Sequence, residues 1–330
     1  MEVDSQACSL VLPVNDLAHV DAVRRAIVRQ ASRLTSNEQQ LGKLTIVVQE
    51  LGRNLVLHAR EGYLIYRQSE RHLSLLAVDD GPGMANLSQC LADHYSSIGT
   101  MGVGLGSARR MADTFDVYSQ PDRGTVVFAQ FNLPAPDPQP EPDLHYGAVC
   151  VPYPGEVVSG DAWAVKGHRV LICDGLGHGH AAGEASQRAR EVFLEHDTHL
   201  PLEQVMERLH RALLATRGGA VGIAEVRPET RQVLYCGMGN IAGLLLGERN
   251  RSMVSSNGTV GYKMGRTQTF SYPWEPGTVL VMTSDGIKTR LETDQYAGLR
   301  IRHPEIIAAL LHRDFRRTND DVTVVVARID

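Results

Sequence analysis

This 330-residue chain is poor in cysteine, in long apolar runs and in clustered positive charge. Its cysteines are Cys8, Cys90, Cys150, Cys173 and Cys236, an odd number with no CxxC pair among them. That excludes a disulfide framework or a zinc knuckle, and reduced, buried thiols in a cytoplasmic protein are the expectation. No apolar run approaches the ~20 residues that span a bilayer, so no membrane partner is expected. The opening MEVDSQACSL is acidic and lacks the layout of a signal peptide. The formal net charge is -5, and basic pairs such as Arg316-Arg317 sit among acids as a solvated surface. Without a broad basic field, nucleic acid is not an expected partner.

The length favours two domains, and 43% hydrophobic with 22% charged residues is an ordinary globular composition. Each half is long enough to bury its own core. The boundary is marked by the tract PAPDPQPEPD, residues 134–143, with proline at every second position from Pro134 to Pro142. Such a tract fits neither a helix interior nor a central strand. As an extended spacer at ~3.1 Å per residue it reaches roughly 30 Å. The expected domains are therefore residues 1–133 and 144–330.

The first segment reads as strand Cys8–Val14, a helix capped by Asp16 and running to about Leu34, and a second helix from near Thr35 or Ser36. Thr35 and Glu38 have capping-box spacing. Leu41, Leu44, Val48, Leu51 and Leu55 give that second helix one apolar face. Strands at Tyr63–Arg67 and Leu73–Val78, a helix at Leu105–Ala112, and strands at Asp116–Ser119 and Val126–Asn132 complete an α/β two-layer sandwich. In the second segment, eight short β runs and three helices (Gly179–Phe193, Leu202–Leu214 and Pro304–His312) predict a β-sandwich flanked by helices. The whole is an α+β chain of two domains.

Glu50, Asn54 and His58 recur every four residues and stack on one face of the second helix. A carboxylate there can orient or deprotonate an attacking hydroxyl, and an Asn carbonyl suits Mg²⁺. Asp79, Gly81 and Gly83 follow a β run in Asp79-Asp80-Gly81-Pro82-Gly83. One carboxylate there can accept from a base amine, while the glycines let backbone pass close to a ligand. Gly102, Gly104 and Gly106 lead into a helix whose N-terminus can cradle phosphate.

The ordered set E-L-x-x-N, D-x-G-P-G and G-x-G-L-G resembles the Bergerat-fold ATPases, specifically the small RsbT/RsbW-like serine-protein kinases of anti-sigma and stressosome switches. The resemblance covers residues 8–133. It implies ATP with one Mg²⁺, Glu50 as catalytic carboxylate, Asn54 as Mg²⁺ ligand, Asp79 as adenine reader and Thr125 assisting at the adenine. Gly52 interrupts the helix between Glu50 and Asn54 at a cost of roughly 1 kcal/mol relative to Ala. Close packing against the nucleotide or drift toward binding without catalysis would each account for it.

The second segment carries acidic signals at Asp161, Asp174-Gly175, Asp285 and Asn319-Asp320-Asp321. Three of these are expected at or just beyond the end of an apolar strand. Oxygen donors without Cys or a His pair suit Mg²⁺ or Mn²⁺ rather than Zn²⁺. Two such ions about 4 Å apart would activate water in line with a phosphoryl group. His178 or His180, just after Asp174, could protonate a leaving serine oxygen. The alternative for both is to hold water or cap the following helix.

The stretches VSGDAWAV, ICDGLGHGHAAGEAS, YCGMGN, SDGIKTR and NDDVTVVV resemble the metal-dependent (PPM, type 2C) Ser/Thr phosphatases of the SpoIIE/RsbX branch, over residues 144–330. The resemblance implies that Asp174 bridges two metals, Gly175 offers its carbonyl, and Asp285 and Asp320 complete the shell. Asp161 would act directly or through water. Asp320 is preferred to Asp321 because the family places the ligand first in that pair.

Together the two resemblances imply a bifunctional partner-switch regulator of a bacterial signalling or stress response. It would phosphorylate and dephosphorylate Ser/Thr on a STAS-domain antagonist protein, with a downstream switch protein as further partner. The alternative is a Ser/Thr phosphatase whose first domain only binds ATP or a partner. A non-enzymatic module with remnant sites is a third reading, and the intact acidic set argues against it.

Overall fold

The computed structural model describes residues 8–69, 71–91, 104–133, 144–195 and 198–329. The chain divides into two compact units, Ser9–Gln139 and Pro140–Asp330.

The first unit contains β1 (Leu10–Pro13), α1 (Leu17–Ala31), α2 (Glu38–His58), β2 (Gly62–Gln68) and β3 (His72–Asp79). It continues through α3 (Leu87–Cys90), α4 (Gly104–Met111), β4 (Thr114–Ser119) and β5 (Thr125–Asn132). The strands form one antiparallel sheet in the order β1-β2-β3-β5-β4. Residues of α1, α2 and α4 pack onto one face of it, around Leu44, Val48, Leu51, Leu64, Leu75 and Phe131. Truncating a fully buried leucine such as Leu51 costs about 2–5 kcal/mol.

Local chemistry explains most helix starts. Asp16 caps α1 by accepting the His19 N–H at 2.8 Å. The cap of α2 is Asn37, which accepts from Gln40 N at 3.2 Å, two residues beyond the expected Thr35. Thr35 instead accepts the N–H of Asn37 and bonds Gln40, so no capping box forms with Glu38. Gly52 is likewise corrected. A Cβ there would meet Val20 Cγ1 of α1 at 2.9 Å, so the glycine serves close helix–helix approach and not the nucleotide face.

The second unit is a sandwich of two sheets. One has the order β13-β10-β9-β8-β7, with β14 also on β10, and the other β12-β11-β15-β16-β6. The strands are β6 (Leu144–Val151), β7 (Asp161–Lys166), β8 (Arg169–Gly175), β9 (Gly219–Arg227), β10 (Gln232–Met238) and β11 (Ala242–Leu246). They continue as β12 (Arg251–Met253), β13 (Ser255–Ser256), β14 (Phe270–Pro273), β15 (Val279–Thr283) and β16 (Val322–Ile329). Helices α5 (His180–Glu195) and α6 (Leu202–Leu213) cover the first sheet, and α7 (Pro304–Phe315) covers β6 and β16.

Alternation separates the two cores. Ala164, Leu171, Cys173 and Ile223 face the helices, while Trp163, Val170, Ile172 and Ala224 face the opposite sheet. Gly147 is required where α7 lies on β6, since a Cβ there would sit 2.2 Å from the Glu305 nitrogen.

Candidate functional site

In the first unit, α2 presents Glu50 and Asn54 toward the start of α4. A Cβ on Gly104 would lie 3.3 Å from Glu50 Oε2 and 3.4 Å from the Asn54 amide atoms. The glycine thus lets a helix N-terminus close onto a carboxylate and an amide, with Gly106 buried two residues further on. Gly102 lies outside the described residues. His58 ends α2 exposed, and its carbonyl lies beside Gly81.

A second cluster forms where β3 ends. Asp79 Oδ1 accepts from Gly81 N at 2.8 Å and from Thr125 N at 3.2 Å. Thr125 and Ser119 hydroxyls are 2.9 Å apart, and Ser119 also accepts from Met84 N at 2.8 Å. Gly83 and Gly124 hold φ of 66° and 70°. A Cβ at Gly83 would fall on the Gln120 carbonyl, and one at Gly124 on that of Asp79. Only glycine combines that backbone with that contact. The structure therefore brings together Asp79, Gly81, Gly83 and Thr125, and separately Glu50, Asn54 and Gly104.

In the second unit the acidic residues meet at one edge of the sandwich, by a route that corrects the expectation. Asp174 lies near the end of β8 and Asp285 just after β15, but Asp161 opens β7 and Asp320 lies just before β16. Two lie at strand ends and two at strand starts. Antiparallel pairing puts starts beside ends: Asp161 is the register partner of Asp174. In the other sheet, where β15 and β16 are antiparallel neighbours, Ser284 N donates to the Thr323 carbonyl at 3.0 Å. Asp174, Asp285 and Asp320 then line an open cleft of about 220 Å³ with Tyr153, Gly177, His178 and Asn240.

Their electrostatics are those of a site awaiting positive charge. Both carboxylate oxygens of Asp161 are buried without a hydrogen-bond partner among the described residues. Burial, reinforced by the charges of Asp321 and Asp285, pushes its carboxyl well above the usual range, and the Ser284 and Thr323 hydroxyls, close by but outside hydrogen-bonding geometry, offset this only in part. Burial followed by the charges of Asp161 and Asp285 does the same to Asp174, and burial then Asp285 raises Asp320. Such clustering is costly unless cations enter. Among the described residues no three His, Cys, Asp or Glu side chains are placed to hold a metal ion as they stand. The donors share a cleft, and their all-oxygen chemistry with the orphaned Asp161 fits Mg²⁺ or Mn²⁺.

Two residues that the sequence reading left without a role shape this edge. Asn240 follows Gly239, whose φ is 91°, and donates to Asp285 Oδ2 at 2.6 Å. Asp321 is turned inward, and its Oδ1 accepts from Tyr153 N at 2.8 Å and Gly160 N at 2.9 Å. The pair thus divides its work, with Asp320 in the cleft and Asp321 fixing loops. Gly175 is buried, and its N–H bonds the Gly160 carbonyl at 3.0 Å. His178 lines the cleft, stacks on Tyr153 at 4.4 Å and holds Glu156 Oε1 at 3.1 Å. His180 is exposed at the start of α5.

The family model "Stage II sporulation protein E (SpoIIE)" matches residues 165–330. The chain belongs to the SpoIIE family. Ahead of this SpoIIE region, residues 14–131 match the histidine kinase-like ATPase domain. The protein is thus an ATPase-like domain followed by a SpoIIE/PP2C-type phosphatase domain, as the motifs imply.

Two Bacillus subtilis relatives each match one part. Serine/threonine-protein kinase RsbT is 25% identical over 131 residues, covering 38% of this chain and 96% of its own. Phosphoserine phosphatase RsbX is 28% identical over 139 residues, covering 40% of this chain and 69% of its own. A solved structure described as "The bacterial stressosome: a modular system that has been adapted to control secondary messenger signaling" aligns with TM-score 0.52 and 26% identity. It covers 56% of this chain and 99% of that one. No described helix is long and apolar enough to cross a membrane.

Proposed function

We propose that the chain is a partner-switch regulator with two opposed activities on one protein substrate. The second domain removes phosphate from Ser/Thr in a metal-dependent reaction, and the first transfers phosphate from ATP to the same side chains. The substrate is a small STAS-domain antagonist protein, with a downstream switch protein as its further partner, in the cytoplasm. The observation that carries this reading is the convergence of Asp174, Asp285 and Asp320 on one cleft, with Asp161 orphaned behind them.

In that reading Asp161, Asp174, Asp285, Asp320 and the Gly175 carbonyl hold Mg²⁺ or Mn²⁺. Bound divalent ions neutralise the phosphoryl charge and activate water. Asn240 keeps Asp285 oriented, and Asp321 holds the loops of Tyr153 and Gly160 in place. His178, kept in the cleft by Glu156 and Tyr153, delivers a proton to the leaving oxygen.

In the first domain Glu50 orients the substrate hydroxyl and Asn54 holds the Mg²⁺ of ATP. Asp79 and Thr125 hold the adenine end, and Gly81, Gly83, Gly102, Gly104 and Gly106 admit the nucleotide to close backbone contact. Gly52 is explained by its packing on Val20, so its presence in the helix does not count against transfer.

The test is one incubation of a STAS-domain protein with the chain, Mg-ATP and Mn²⁺, read by intact mass. Phosphate gain should disappear in E50A and N54A, and phosphate loss from the pre-phosphorylated protein should disappear in D174N and D285N. Loss without any gain would reduce the first domain to a nucleotide or partner sensor. Neither change on any STAS protein would sink the proposal.

A further inference from the structure

The cleft of the second domain has a charge deficit on one side. Its lining contains Asp174, Asp285 and Asp320, and none of its described lining residues is lysine or arginine. Two divalent ions would balance the four aspartates Asp161, Asp174, Asp285 and Asp320, leaving a phosphoryl dianion without a cation of its own. One candidate is Arg217, whose guanidinium reaches Gly177 of the cleft wall. It sits in a turn closed by Thr216, whose hydroxyl donates to the Leu213 carbonyl at 2.8 Å and accepts the Gly218 N–H at 3.0 Å. Gly218, at φ 72°, then returns its carbonyl to Leu176 N at 3.0 Å. This bond ties the turn to the Leu176-Gly177 segment of the cleft wall.

The side chain follows the backbone. Gly177, at φ 89°, has Arg217 Nη1 at 3.0 Å from where a Cβ would stand. A residue with a side chain at 177 would displace the guanidinium, so the glycine leaves it room beside the cleft. Arg217 is exposed, and among the described residues no carboxylate or carbonyl takes a hydrogen bond from its guanidinium. Salt-bridged arginines of the same domain behave differently: Arg188 pairs with Glu191 and Arg211 with Glu207. A planar guanidinium without a partner, lying beside Gly177 of an acidic metal-type cleft, can take two phosphoryl oxygens side by side.

We propose that Arg217 is the phosphoryl-binding residue of the phosphatase site and contacts the phosphoserine or phosphothreonine of the incoming protein. The proposal rests on the phosphatase reading above and adds a residue to its substrate contacts. Arg217 makes no bond and moves no proton in the reaction; its contribution is to binding.

The experiment uses the full chain loaded with Mn²⁺. Inorganic phosphate binding is measured by calorimetry, and KM and kcat are measured with a small aryl phosphate and a phosphorylated STAS-domain protein. In R217A, phosphate affinity should fall and KM should rise by about tenfold, the scale of one charge-assisted contact at an exposed site. The kcat should hold within a few-fold, and R217K should recover part of the affinity. R211A, which removes the same charge from α6, should match the parent in both assays. Equal phosphate affinity in R217A, R211A and the parent would overturn the assignment of Arg217 while leaving the phosphatase reading intact. Absence of both turnover and phosphate binding in the parent, with D174N indistinguishable from it, would overturn both.

Discussion

The two candidate sites of this chain solve opposite electrostatic problems. In the first domain Asp79 is satisfied by protein, since one oxygen takes the backbone N–H groups of Gly81 and Thr125. In the second, Asp161 is buried with both oxygens unpartnered among the described residues and with other carboxylates nearby. One site is a shaped surface of backbone and glycine, complete before a ligand arrives. The other stores repulsion that bound cations relieve. A ligand should therefore alter the second domain's stability more than the first's.

The largest effect that would test this contrast is removal of a carboxylate from the cleft. D174N should lower phosphatase turnover roughly 10²- to 10³-fold, the scale of deleting one preorganised electrostatic group. It should also raise the thermal midpoint of the metal-free second domain, because a repelling charge is gone. A metal-free midpoint that falls in D174N would break the idea that the cleft is frustrated without cations.

Next in size is N240A, which frees Asp285 without touching a proposed ligand. Loss of such a supporting contact typically costs 10- to 100-fold in metal affinity or activity. A Mn²⁺ titration of turnover should show a raised half-saturation concentration with much of the maximal rate retained. An unchanged half-saturation point would mean that Asp285 is held by other means.

In the first domain the sensitive positions are glycines. G124A forces a Cβ onto the Asp79 carbonyl at positive φ and should destabilise that domain by about 1–3 kcal/mol. Calorimetry should show the first domain's transition moved down and the second's unmoved. A shift in both transitions would mean that the domains do not melt independently.

The smallest effect is a pH dependence confined to the second domain. His312 of α7 is buried, and burial with the nearby Arg316 charge pushes its pKa down to about 3. The unfolded chain, with a histidine pKa near ~6.5, then binds the proton that the folded chain refuses. Stability from this group is complete above pH 6.5 and is lost as pH falls from 6.5 toward 3, by about 1.4 kcal/mol per pH unit. Between pH 7 and 5 the parent should lose roughly 2 kcal/mol more than H312L in urea unfolding. Equal losses would show that His312 is protonated in the folded domain.

Much of the architecture could be read along the chain because its causes are local. The Asp16 cap, the apolar stripe of α2 and the continuous apolar runs of β8 and β15 each depend on residues within a few positions. The start of α2 was less legible, since Thr35, Ser36 and Asn37 are all competent caps and only the N–H that Asn37 reaches decides among them. Gly52 was misread because its reason, Val20, lies on another helix. The roles of Asn240 and Asp321 were harder still: both lie in stretches that mark the site, but their partners are Asp285, Tyr153 and Gly160, and no local pattern announces a contact across such separations. The ligand-type residues were legible through their motifs, and the residues that position them were not.

Assembly of the cleft also has a timetable. β16 pairs along its whole length with β6, and Asp321, immediately before β16, secures Tyr153 and Gly160 near the other end of the domain's sequence. The acidic edge therefore depends on a contact of very high sequence separation, the kind whose loop-closure entropy delays it during folding. A ribosome that has emitted residues 144–315 has supplied Asp161, Asp174 and Asp285 but neither Asp320 nor the strand that aligns them. Phosphatase activity should arrive in a single late step, and a nascent or clipped chain lacking β16 should be silent and not partly active.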